Sequence, residues 1–194
     1  MPTGVHMRDA REQLFDAAER ILLRDGPNAL TSRSVTGEAG CAKGVLHRHF
    51  EDFDAFLVEL VLDRIRGIED RSATLCAAAG TGTVVGNVTE VLTEVFESVA
   101  GAILPLITFR DELRTRLRAA GLRGLPVVTE SAAMIAAYLT RERALGRIDA
   151  AADIEALAPT VIGVGHLLYA DRSAAPHSDQ VRRMVSSVLA GALS

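Results

Sequence analysis

No stretch of this sequence alternates apolar and polar residues with the two-residue period of a half-buried strand. The apolar residues recur three and four positions apart instead, the spacing that lines one face of an α-helix. Leu14, Ala17, Ala18, Ile21 and Leu22 set the pattern, and Phe56, Leu57, Leu60, Val61 and Ile65 repeat it. Aromatic residues make up only 4% of the 194 and Trp is absent, while 48% are hydrophobic, so a core must be built from Ala, Leu, Val and Ile. Ala and Leu head the helix-propensity scale. The expected fold is all-α.

Punctuation divides the helices. Residues 1–7 read as a disordered lead, with Met7 an alternative start, and Asp9 with Glu12 reads as a capping box. Gly26-Pro27 stops the first helix. Thr31 caps a short second helix that Gly40 ends, a third follows at about 43–49, and Asp52 caps a fourth. Past about residue 72 the small-residue run "ATLCAAAGTGT" is a break. Longer helices are predicted over 83–100, 103–119, 126–145, 153–170 and 178–193. Pro126 suits a first turn, Gly146 the position after a last one, Asp153 and Ser178 are caps, and Pro159 kinks its helix.

A net charge of −4 excludes a chain coated all over in positive charge, yet Thr31–Phe50 sets Arg33, Lys43 and Arg48 against Glu38 alone. A helix, a Gly-containing turn and a short second helix make a helix-turn-helix. Ala39 is small where the helices cross, and Gly40 tolerates left-handed geometry in the turn. Lys43-Gly44-Val45 offers a cation, bare backbone and a methyl surface at the start of the second helix, chemistry that suits phosphate, sugar or thymine methyl. Lys43 is the only lysine in a chain that otherwise uses arginine.

The run "REQLFDAAERILLRDGPNALTSRSVTGEAGCAKGVLHRHFEDFDAFLVEL" resembles the N-terminal domain of TetR-type transcriptional regulators, most specifically in its "AG-x-x-KG-x-L-x-x-HF" core. The later "RERALGRIDAAADIEALAPTVIGVGHLLYA" resembles the dimerising end of that family. The resemblance implies a three-helix DNA-binding head on residues 8–50 and a ligand-binding and dimerisation body on 51–194, the last two helices pairing two copies. A homodimer would place two recognition helices on a pseudo-palindromic operator in double-stranded DNA, with Thr31, Arg33, Lys43, Gly44, Val45, His47 and Arg48 as the contacting set. A small-molecule effector would lower the affinity, as for a repressor. Four positions depart from the family pattern: Ala42 stands for a capping Ser, Val45 for Thr, His47 for a phosphate-contacting Tyr, and Phe53 for Lys. These departures support an alternative, an all-helical small-molecule binding protein or enzyme that no longer engages DNA.

In the body, Phe96, Phe109, Met134, Tyr138, His166 and Tyr169 fall at helical positions on apolar faces, where they suit a ligand pocket or an ordinary core. Met134 and Tyr138, four apart, share a face. His166 follows "GVG", where another helix can approach, so it suits a dimer interface equally. His47 and His49 are two apart on a helix and cannot hold one metal together. Cys41 and Cys76 lack metal spacing and read as reduced thiols. No G-x-S-x-G, H-E-x-x-H, P-loop or GxGxxG occurs, so neither catalysis nor a cofactor is expected. The N-terminus has no apolar signal region and no apolar run reaches spanning length, so a cytoplasmic protein is expected.

Overall fold

The computed structural model describes residues 3–122, 124–170 and 175–194. The helices are α1 (Thr3–Asp25), α2 (Ser32–Glu38), α3 (Gly44–His49), α4 (Phe53–Ala77), α5 (Val84–Glu97), α6 (Val99–Phe109), α7 (Asp111–Ala119), α8 (Pro126–Ala144), α9 (Ile154–Leu168) and α10 (Ser178–Leu189). Among the described residues the one β pairing is an isolated bridge between Ile148 and Leu193. The all-α expectation holds.

Several boundaries differ from those expected. Helix α1 runs from Thr3 through the expected lead, and Asp9 lies inside it rather than at its cap. Helix α4 continues through the first half of the small-residue run to Ala77, because alanine is no helix breaker. The break falls at residues 78–83, where Gly80 and Gly82 take φ of 83° and 54°. The single helix expected over 103–119 is two helices, divided where Arg110 adopts φ −118°, ψ 100°. The cap of α10 is His177 rather than Ser178: its backbone N–H donates to the Gln180 side chain at 2.8 Å.

Cα packing divides the chain into two compact units, residues 1–63 with 102–123 and residues 64–101 with 124–194. In the first, α1 packs on α2 and α3. Leu14, Ala17, Ala18 and Leu22 of α1, Val35 of α2 and Leu46 of α3 are completely buried. The Phe15, Phe50 and Phe56 rings meet with centroids 5.1–5.9 Å apart, clamping the end of α3 between α1 and α4. Phe50 faces inward and is buried.

In the second unit α8 packs on α9, α5 on α10, and α9 on α10. Helix α10 is amphipathic by the simplest test: Val181, Val185 and Leu189 are buried while Arg182, Arg183, Ser186 and Ser187 are exposed. Gly165 of α9 lies against Phe96, and a Cβ there would stand 2.8 Å from the ring. The unit also buries a carboxylate completely, that of Glu142.

Candidate nucleic-acid interface and effector cleft

The helix-turn-helix is built by local bonds. Thr31 caps α2 as expected, its hydroxyl accepting from the Ser34 N–H at 3.1 Å while Ser34 Oγ accepts from the Thr31 N–H at 2.9 Å. Gly40 takes φ 66°, and the Cys41 N–H then closes the turn on the Thr36 carbonyl at 2.9 Å. Helix α3 begins after Lys43, its N-cap, whose side chain has no acceptor and makes no cap bond.

Only Leu46 of α3 is fully buried. It faces the core, leaving Lys43, Gly44, His47 and Arg48 exposed and Val45 half-buried. Thr31 and Arg33 are exposed beside them. Arg33, Lys43, Gly44 and His47 line one shallow groove of about 490 Å³ with Ser32 and Thr36, which the sequence reading did not single out. Glu38, the carboxylate set against the cations, is held by Arg20 at 2.8 Å and Arg24 at 3.1 Å. The Arg20 hydrogen bond, then that of Arg24, keeps its carboxyl below the ordinary range. Among the described residues Arg33, Lys43 and Arg48 enter no ion pair. The result is an exposed face with unpaired positive charge.

The start of α4 lies just beyond α3. Asp52 caps it, accepting from the Ala55 N–H at 2.7 Å. The same carboxylate takes both terminal nitrogens of Arg116 in α7, each at 2.8 Å, and is depressed chiefly by that pairing. Arg116 also donates to Glu112 at 2.8 Å. Phe53 stacks on Phe56 at 5.6 Å, and the Arg110 guanidinium sits 5.4 Å from the Phe53 ring and 3.4 Å from Asp54. Nothing in the sequence pattern paired α7 with α4.

The pocket candidates of the body fall into three places. Phe96 stacks on Tyr169 at 5.2 Å with His166 at 6.3 Å, and the Tyr169 hydroxyl lies 3.4 Å from Thr93 Oγ1. Met134 and Tyr138 share the inner face of α8, 2% and 0% exposed. The Tyr138 hydroxyl donates to Glu142 at 2.5 Å and accepts from the Asn87 amide at 2.9 Å; burial first and Glu142 second raise its pKa. Phe109 groups with the first compact unit and is 83% exposed.

None of these residues lines a cleft of about 510 Å³ between α4 and α5 in the second unit. Leu75, Ala78 and Val91 supply its apolar wall, and Asp70, Glu90, Glu94 and Arg71 its charges. Arg71 reaches Glu94 at 3.8 Å, while Asp70 and Glu90 enter no ion pair among the described residues. Asn87 lies on the same wall and ties it to Tyr138. The signal in the sequence was the spacing: positions 67, 70, 71, 74 and 75 on α4, with 78 just past its end, and 87, 90, 91 and 94 on α5 form two stripes. A search for aromatics passes over them.

Among the described residues no group of His, Cys, Asp and Glu is arranged to hold a metal ion, and no single helix is long and apolar enough to cross a membrane.

No protein-family model and no curated protein matches the sequence. Solved structures do match in fold. NemR of E. coli in its reduced form superposes with a TM-score of 0.73 at 13% identity, over 96% of this chain and 98% of that one. A TetR-family regulator from Agrobacterium tumefaciens gives 0.72 at 15% identity, over 97% and 100%. FadR of Bacillus subtilis in complex with stearoyl-CoA gives 0.66 at 16%, over 93% and 98%. The fold is therefore that of the TetR-type transcriptional regulators, along nearly the whole chain.

Proposed function

We propose that this chain is a ligand-responsive DNA-binding transcriptional regulator rather than an enzyme, a cytoplasmic repressor that a small molecule releases from its operator. The observation that carries this reading is the exposed helix-turn-helix face, where Arg33, Lys43 and Arg48 enter no ion pair among the described residues and the neighbouring Glu38 is neutralised from behind by α1. Residues 8–50 are then the DNA-binding head. The reading takes the protein to be a homodimer, because Val164 and Leu167 of α9 are 36% and 74% exposed and Met184 and Val188 of α10 remain half-buried. Such a patch suits a self-complementary interface about a two-fold axis.

The effector site in this reading is the cleft between α4 and α5. Its three carboxylates against one guanidinium suit an amine or organic cation with an apolar body, rather than a phosphorylated thioester such as the one bound by the FadR relative. Helix α4 carries residues of both compact units, so a ligand that prefers one position of that helix biases DNA binding by its differential affinity. A mobility-shift titration on the DNA flanking the gene, at low salt, tests the reading. A retarded complex released by a cationic amphiphile is expected. No complex on that DNA or on random DNA would sink the regulator and favour the binding-protein alternative, which the missing Ser, Tyr and Lys donors support.

A further inference from the structure

The start of α4 is acidic. Glu51, Asp52 and Asp54 follow directly on α3, and two of the three are matched by cations from around α7: Asp52 by Arg116 through both terminal nitrogens, Asp54 by Arg110. Asp52 is four residues beyond Arg48, so its Cα lies within about 14 Å of that residue's Cα. At low salt, where the Debye length is on the order of 10–30 Å, a bare carboxylate there acts on phosphates that Arg48 reaches. A capping residue needs only a hydrogen-bond acceptor, and Asp52 meets that need toward Ala55 with one oxygen. The bidentate pairing to an arginine 64 residues away is additional to the cap.

We propose that Arg116 is a positioning residue for DNA binding, which neutralises Asp52 beside the recognition helix and so lets DNA approach. The proposal rests on the reading of the chain as a DNA-binding protein. It assigns α7 a function that its distance in sequence from the helix-turn-helix conceals: this helix tunes the charge that the DNA backbone meets. Arg110 does the same for Asp54 while stacked on Phe53, so two cations stand at the start of α4.

A structural clasp and a charge-matching device predict opposite results for one substitution. Asp52→Ser keeps an acceptor for the cap, removes a carboxylate and leaves Arg116 with Glu112 as its one remaining carboxylate partner among the described residues, so the local charge rises by one. If the pair is a clasp, losing it loosens the head and weakens binding. If it matches charge, the variant binds a random-sequence duplex at low salt roughly three- to ten-fold more tightly than wild type. Arg116→Gln should bind more weakly by a similar factor, and Arg116→Gln combined with Asp52→Ser should recover most of that loss. Fluorescence anisotropy reads all three, with thermal melts alongside. Should Arg116→Gln fail to fold, Asp52→Ser and the charge-preserving Arg116→Lys, expected near wild type, still decide. Wild type that binds while Asp52→Ser binds no better overturns the inference alone. Wild type that binds no duplex at low salt overturns the DNA-binding reading and the inference with it.

Discussion

Lys43 stands exposed at the first turn of α3 in a groove shared with Arg33 and His47, with no carboxylate bound to it among the described residues. In the proposed DNA-binding role, a cation so placed holds phosphate without reading sequence. Lys43→Ala should therefore weaken operator and random DNA by similar factors. It should also flatten the dependence of log K on log salt by about 0.9 per subunit, roughly 1.8 for a dimer. A loss confined to one sequence would assign the lysine to a base edge. Tyr138 makes a different residue-scale test. Its hydroxyl is the link between Asn87 and the fully buried Glu142, whose remaining partners are Arg147 and the Gly80 N–H. Tyr138→Phe should cost about 1–3 kcal/mol in denaturant unfolding, because it leaves a buried carboxylate short of a donor. The sequence marked Tyr138 by its apolar neighbours, but the residue four positions on was the better clue. An aromatic hydroxyl and a carboxylate at that spacing share a helix face, and here the face points inward.

At the scale of elements, the helix-turn-helix was readable because each step has a local cause: Thr31 for the cap, Gly40 for the turn, Asp52 for the next start. The division between α6 and α7 was not. Helical periodicity runs across Arg110 and no Gly or Pro marks it; only Asp111 and Glu112 in a first turn hint at a new N-terminus. The cleft escaped for a similar reason, since it lies between two helices and no single-helix pattern shows a gap between partners. Packing between α5 and α9 yields a prediction of its own. Gly165→Ala brings a Cβ to 2.8 Å from Phe96, and displacing a ring already stacked on Tyr169 should cost about 1–3 kcal/mol. Adding Phe96→Leu should remove most of that extra cost, so thermal melts of the two singles and the double should be non-additive.

For the molecule as a whole, the proposed DNA-binding role asks an acidic chain to confine its positive charge to one face, and the arginine partners of Glu38 are one way to do so. Dimerisation is argued at the same scale. Leu167→Glu puts a charge on the most exposed leucine of α9 without touching the buried Val161 and Ile162. Light scattering at micromolar concentration should find wild type as a dimer and this variant shifted to monomer, with the helical circular-dichroism signal unchanged. A monomeric wild type would contradict the proposed assembly.

The single anchoring residue of α3 carries a consequence for how such a protein changes over generations. Of its residues only Leu46 is fully buried, and the end of the helix is held by Phe50, which lies outside it. Substitutions at Lys43, Gly44, His47 or Arg48 therefore touch no core, and exposed positions of that kind typically move stability by no more than about 0.5 kcal/mol. In the proposed DNA-binding role, drift at those positions moves the preferred operator in small, tolerated steps while the aromatic clamp keeps the scaffold constant. Duplicated copies of the gene could thus come to serve different promoters without passing through an unfolded intermediate.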